Sequence, residues 1–188
     1  MPILAIDKEI EIELTHECNW NCPYCAIHVH KQKNISHEEA LSKVMSISDG
    51  SIVTLSGGEP GLISRNHIEQ YINILKTKKC KLYLNTNGQF LFRYPDLVGN
   101  FEQIIYHCSE NLDNKVYIFS EFDNIDYMII VNDENFHKLE KFMIDNSNIK
   151  FSIVEATYNK ANDGPTLSKK NKYEIMTKFC NRMTKASI

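Results

Sequence analysis

The chain has 188 residues, 43% of them hydrophobic and 24% charged, with a formal net charge of −3. That content supports a single domain, residues 1–188, with a core of ordinary size, and the slight acidic balance removes any bulk electrostatic drive toward nucleic acid. No apolar run reaches the roughly 18 residues of a bilayer span, and the opening "MPILAIDKEIEIEL" lacks the basic flank and apolar run of a leader, so the expectation is a cytoplasmic protein whose six cysteines are thiols or metal ligands rather than disulfides.

Elements follow one another in a regular order. Residues 9–14, "EIEIEL", alternate strictly, with Ile10, Ile12 and Leu14 on one side and three glutamates on the other, which predicts a strand. After a cysteine-rich segment, "SHEEALSKVMSI" opens on a Ser36–Glu39 capping box and carries Ala40, Leu41, Val44 and Met45 as a helical stripe. A strand at 51–55 ends in "SGGEP", and the helix after it places Ile68, Tyr71, Ile72 and Leu75 on one face. Strands follow at 81–86, 102–108, 125–131 and 149–156, the fifth followed by a helix with Asp133 as cap and Phe136, Leu139 and Met143 inward. Residues 168–184 read as a last helix.

Six strands spaced about thirty residues apart, with helices between, predict a parallel sheet with right-handed crossovers. The alternation permits an open partial barrel or a flat doubly wound sheet. In either, the site lies beyond the carboxyl ends of the strands. Those ends carry "THECNWNCPYC", "SGGEP", "NTNG", "CSEN", "VND" and "EATYN", so every unusual cluster falls at the same end.

Cys18, Cys22 and Cys25 invite three readings. Zinc would use the C-x2-C pair with Cys18, His16, His28 or His30, but a second pair is lacking. A "CPYC" dithiol would use Cys22 and Cys25 and leave Cys18 idle. A [4Fe–4S] cluster held by three thiolates would leave one iron open.

C-x3-C-x2-C after the first strand of a parallel α/β chain resembles the radical S-adenosylmethionine (radical SAM) superfamily, and Tyr24 stands where that family has an aromatic before its third cysteine. The resemblance implies a partial (β/α)6 TIM-like barrel with a motif-bearing core over about 9–156. It implies a [4Fe–4S] cluster on Cys18, Cys22 and Cys25, and S-adenosylmethionine (SAM) on the open iron. Reductive cleavage of SAM would give a 5′-deoxyadenosyl radical that takes hydrogen from a substrate. It also implies an electron donor such as flavodoxin or ferredoxin. "GGE" in this family holds the SAM ammonium, which assigns Gly57, Gly58 and Glu59 to the cofactor, with Pro60 stiffening the exit.

Read alone, "LYLNTNGQFLF" is a hairpin signal. The resemblance instead makes Asn85 a SAM or substrate contact and Asn87–Gly88 a turn. Ser109 matches a serine that contacts SAM in this family, Asn132 is a further cofactor candidate or else part of a helix start, and Cys108 is a candidate hydrogen-atom donor. Trp20 is read as a shield for the cluster and Glu155 as a residue at the substrate end. Cys80 and Cys180 are read as buried inert thiols. The substrate stays open among small nucleobase-derived molecules, peptides and partner proteins, and the different-class alternative is a zinc or thiol-redox protein.

Overall fold

The computed structural model describes residues 9–22, 25, 27, 32–108, 112–113, 116–133, 135–155, 170–171, 174–175 and 183–187, the last five as backbone only. They fall into two compact units, one of residues 1–19 and 32–105, the other of 20–31 and 106–188.

The first unit begins with β1, Glu9–Thr15, where Ile12 and Leu14 are buried and the glutamates exposed, as strict alternation demands. β2, Ile52–Gly57, pairs parallel to it, and β3, Lys81–Thr86, pairs parallel to β2. Helix α1, His37–Ser46, starts on the expected capping box: Glu39 N–H donates to Ser36 Oγ at 3.2 Å and Ser36 N–H to Glu39 Oε2 at 2.8 Å. Ala40 and Val44 are buried, but Met45 is 61% exposed. It lies about 100° around the helix from Val44, past the edge of the packed face.

Helix α2, Arg65–Thr77, buries Ile68, Tyr71, Ile72 and Leu75, the four residues its 3.6-residue period selects. It ends in a Schellman motif: Lys79 N–H donates to Lys76 O at 2.9 Å and Cys80 N–H to Leu75 O at 3.0 Å, with Lys79 itself at φ 58°. The segment after β3 is not a hairpin. Gly88 turns with φ 99° and starts the short helix α3, Gln89–Arg93, which buries Phe90 and Leu91.

β4, Gln103–His107, straddles the two units: beside its start Glu102 N–H donates to Leu82 O at 2.8 Å, and past its end Cys108 N–H donates to Met128 O at 3.1 Å. In the second unit β5, Ile125–Val131, pairs parallel to β6, Phe151–Glu155. Helix α4, Phe136–Asp145, buries Leu139, Phe142 and Met143. Its cap is Asn135 rather than the expected Asp133. β7, Met183–Ser187, pairs parallel to β6 and adds a strand where the sequence reads the end of a helix. Among the described residues no helix is long and apolar enough to cross a membrane.

Candidate functional site

The segment Gly57–Pro60 is fastened to the end of β1. Gly58 N–H donates to Thr15 O at 2.6 Å and Glu59 N–H to Glu17 O at 2.7 Å, one residue before Cys18. A Cβ on Gly57 would stand 2.2 Å from Thr15 O, and one on Gly58 2.1 Å from Glu17 O. Two chains cross here at a separation only glycine allows. The two glycines thus serve a backbone crossing that sequence reading did not anticipate. Gly58→Ala should lower unfolding stability by about 3 kcal/mol, since the obstruction is main chain and does not rotate away. Urea denaturation of the variant beside wild type checks it.

Glu59 differs from the sequence expectation. Its side chain is fully buried, and the carboxylate faces inward onto its own unit. Oε1 accepts from Gly61 N–H at 2.7 Å, Thr86 Oγ1–H at 2.8 Å and Phe90 N–H at 3.1 Å, and Oε2 accepts from Asn87 N–H at 2.7 Å. Four donors take up the roughly four lone-pair sites of a carboxylate, which leaves none for a SAM ammonium. Burial raises its pKa, and the four donors oppose that shift. Glu59 is therefore a clamp that fastens the end of β3 and the start of α3 to the GGEP turn. Pro60 is buried and opens the 3-10 turn Pro60–Leu62.

β3 then sorts the two asparagines of "NTNG". Asn85 shares the strand face of Tyr83, opposite Leu82, Leu84 and Thr86. Its Oδ1 is buried without a hydrogen-bond partner. Such an orphan costs about 1–3 kcal/mol until a donor meets it. Asn87, read from sequence as a turn residue, does turn with Gly88, and its side chain also reaches the cysteine segment. Its Nδ2 lies 3.6 Å from Cys18 Sγ and 2.8 Å from Asn19 Oδ1.

A second asparagine missed by the sequence reading closes the base of the cysteine loop. Asn34 Oδ1 accepts from His16 N–H at 2.8 Å and Thr15 Oγ1–H at 3.1 Å, while its Nδ2 donates to Glu17 Oε1 at 2.9 Å. Asn34 thus ties the segment after the loop to the end of β1. A lone Asn in "KNIS" carries no sequence signal for this. His16 has both ring nitrogens engaged, Nδ1 with Lys33 O at 2.7 Å and Nε2 with Glu13 Oε2 at 3.2 Å, so it is not poised as a zinc ligand.

Cys18, Cys22 and Cys25 are half-buried and in no disulfide. Cys18 belongs to the first unit and the other two to the second, where Cys25 N–H donates to Cys22 O at 3.0 Å. Among the described residues no three His, Cys, Asp or Glu side chains are gathered as a metal site. Tyr24, His28, His30, Ser109 and Cys180 lie outside the described residues.

In the second unit Asn132 follows β5. Its Oδ1 accepts from Asn135 N–H and its own N–H donates to Asn135 Oδ1, both at 2.9 Å, and its O accepts from Phe136 N–H. It therefore builds the start of α4. Its Nδ2 is nonetheless buried and unpartnered. Cys108 is buried, and its thiol donates to Met128 O at 3.1 Å. Burial raises its pKa. A thiol held in this way packs the strand end, so the expectation of a hydrogen-atom donor gives way to a structural role.

His107, next to it on β4, is held down to about 4 by burial, which disfavours the imidazolium. An unfolded histidine titrates near 6.5, so below that pH the unfolded chain takes up a proton that the folded chain refuses. The stability due to neutral His107 is full above pH ~6.5 and is lost as pH falls toward about 4, by at most about 3 kcal/mol. His107→Gln should flatten that part of the stability curve, read by denaturant midpoints between pH ~7 and ~4.

Comparison with known proteins agrees with the motif. The family profile described as the radical SAM superfamily matches residues 12–109, more than half of the chain. GTP 3′,8-cyclase of Synechocystis sp. is 31% identical over 114 residues, covering 57% of this chain and 34% of that protein. The probable GTP 3′,8-cyclase of Pyrococcus abyssi is 29% identical over 130 residues, covering 64% and 40%. The chain thus spans well under half the length of these relatives.

Among solved structures, native anSMEcpe with bound AdoMet and Cp18Cys peptide is similar at a TM-score of 0.63 and 16% identity, over 95% of this chain and 63% of that one. Streptococcus suis SuiB bound to S-adenosylmethionine is similar at 0.58 and 14%, over 95% and 49%. At such identity the likeness shows the fold, the α/β partial barrel of parallel strands with outer helices. With a C-x3-C-x2-C segment after β1, a GGEP turn after β2 and a profile match that runs through both, the chain belongs to the radical SAM superfamily, whose cofactors are a [4Fe–4S] cluster and S-adenosylmethionine.

Proposed function

We propose that this chain is a radical SAM enzyme whose cluster is held by Cys18, Cys22 and Cys25. The observation that carries the reading is the family match over residues 12–109, which runs through the C-x3-C-x2-C segment and the GGEP turn. Among the described residues, the buried side-chain N and O atoms without a partner are Asn85 Oδ1 and Asn132 Nδ2. Asn85 lies near the end of β3 and Asn132 directly after β5, each at the carboxyl end of a strand of its own unit. The C-x3-C-x2-C spacing of Cys18, Cys22 and Cys25 supplies the three thiolates such a cluster takes from the protein.

When bound, the cluster supplies an electron that cleaves SAM to a 5′-deoxyadenosyl radical able to take hydrogen from a substrate. The chain's own residues do the rest. Gly57 and Gly58 bring the GGEP turn against the backbone that leads into Cys18, and their carbonyls are assigned to the SAM ammonium. Glu59 acts from behind that turn rather than on the ligand. Asn85 offers its carbonyl oxygen to a donor of SAM, and Asn132 its amide to an acceptor. Tyr24 and Ser109 keep the cofactor-binding roles the resemblance gives them.

The electron comes from a small reductant of the flavodoxin or ferredoxin kind, in a cytoplasm that keeps the thiols reduced. The cyclase relatives align over a third to two-fifths of their length, so their likeness supports the shared cofactor chemistry and does not extend to GTP. The substrate class stays among small nucleobase-derived molecules, peptides and partner proteins.

Metal analysis after anaerobic purification tests the reading against its rival. The radical SAM reading expects brown protein that reconstitutes to about four irons per chain. Stoichiometric zinc in colourless protein would support a zinc or thiol-redox protein instead.

A further inference from the structure

We propose that Asn87 tunes the cluster: its side-chain amide donates a hydrogen bond to the Cys18 sulfur and so sets how readily the cluster accepts an electron. This rests on the radical SAM reading above. The orientation of the amide is decided by its partners. Gln89 N–H donates to Asn87 Oδ1 at 3.2 Å, which makes that end the acceptor and turns Nδ2 toward Cys18 Sγ at 3.6 Å and Asn19 Oδ1 at 2.8 Å. Two N–H groups thus meet two acceptors. The main chain is fixed as firmly, since Asn87 N–H donates to Glu59 Oε2 and Gly88 N–H to Thr86 Oγ1 at 3.0 Å.

A rigid donor aimed at a ligand sulfur favours the state in which that sulfur carries more negative charge. For a cluster this is the reduced state, so hydrogen bonds to sulfur raise the reduction potential. Asn87 acts through Cys18 and is a positioning residue.

The test is an EPR-monitored redox titration of reconstituted wild type, Asn87→Ala and Asn87→Asp. Removing the donor should lower the equilibrium constant for reduction about tenfold, a shift of about 59 mV to more negative potential for one electron. Asn87→Asp, which puts a negative acceptor in the same place, should lie lower still. A merely structural role would not produce that order. If wild type binds a reducible cluster and the three potentials coincide, the tuning role is wrong while the family reading stands. If neither variant retains iron, Asn87 holds the ligand loop rather than tunes it, and the proposal also falls. A wild type that forms no cluster contradicts the underlying reading itself.

Discussion

Cys18→Ala should lose its cluster and with it SAM cleavage, by at least about 100-fold, beyond what changes outside the ligand shell cause. Cys18 is the discriminating position. A CPYC dithiol needs only Cys22 and Cys25 and would keep most of its thiol-exchange activity without Cys18. A cubane with one iron already open to SAM has no spare protein ligand, so two thiolates hold it poorly. The assay is 5′-deoxyadenosine release by chromatography, with iron content measured in parallel. Cys18 is half-buried, and its sulfur accepts a hydrogen bond from Asn87.

Glu59→Ala should behave in the opposite way and damage the fold itself. The carboxylate gathers Gly61, Thr86, Asn87 and Phe90, and its removal leaves three main-chain N–H groups and a hydroxyl buried without acceptors. Losing one partner of such a buried network costs about 3–5 kcal/mol, a large part of the 5–15 kcal/mol that holds a typical domain together. Glu59→Gln should recover little, because its amide nitrogen would face N–H groups. A direct ligand role predicts the reverse pattern: a folded variant with normal stability and weaker SAM binding. Chemical denaturation together with isothermal titration of SAM separates the two.

The parts of this molecule legible in the sequence are those decided by local chemistry. The alternation of "EIEIEL", the Ser36–Glu39 box and the Ile68–Leu75 stripe each follow from a period or a cap, and β5 occupies the very residues its apolar run marks. The cysteine spacing made the family legible as well. What escaped depends on contacts between distant segments. "TNG" favours a hairpin locally, yet the carboxylate of Glu59, 28 residues earlier than Asn87, holds it as a strand-to-helix turn.

Asn85 lies within β3 and Asn87 just past its end, where the turn re-aims the side chain, so the sequence could not tell which faces Cys18. Asn34 is a single polar residue whose bonds to Thr15, His16 and Glu17 appear only once β1 is in place. Asp133 and Asn135 are both good caps, and the reciprocal bonds of Asn132 with Asn135 decided between them. The final parallel strand begins at Met183, which with Met176 and Phe179 fits a helical period equally well.

The central claim is that the three cysteines of "CNWNCPYC" hold an iron cluster that works on SAM. Anaerobically reconstituted wild type, reduced with dithionite and supplied with SAM alone, tests it most directly. The account predicts that 5′-deoxyadenosine and methionine accumulate together. A fully loaded, reduced cluster that leaves SAM intact would contradict it.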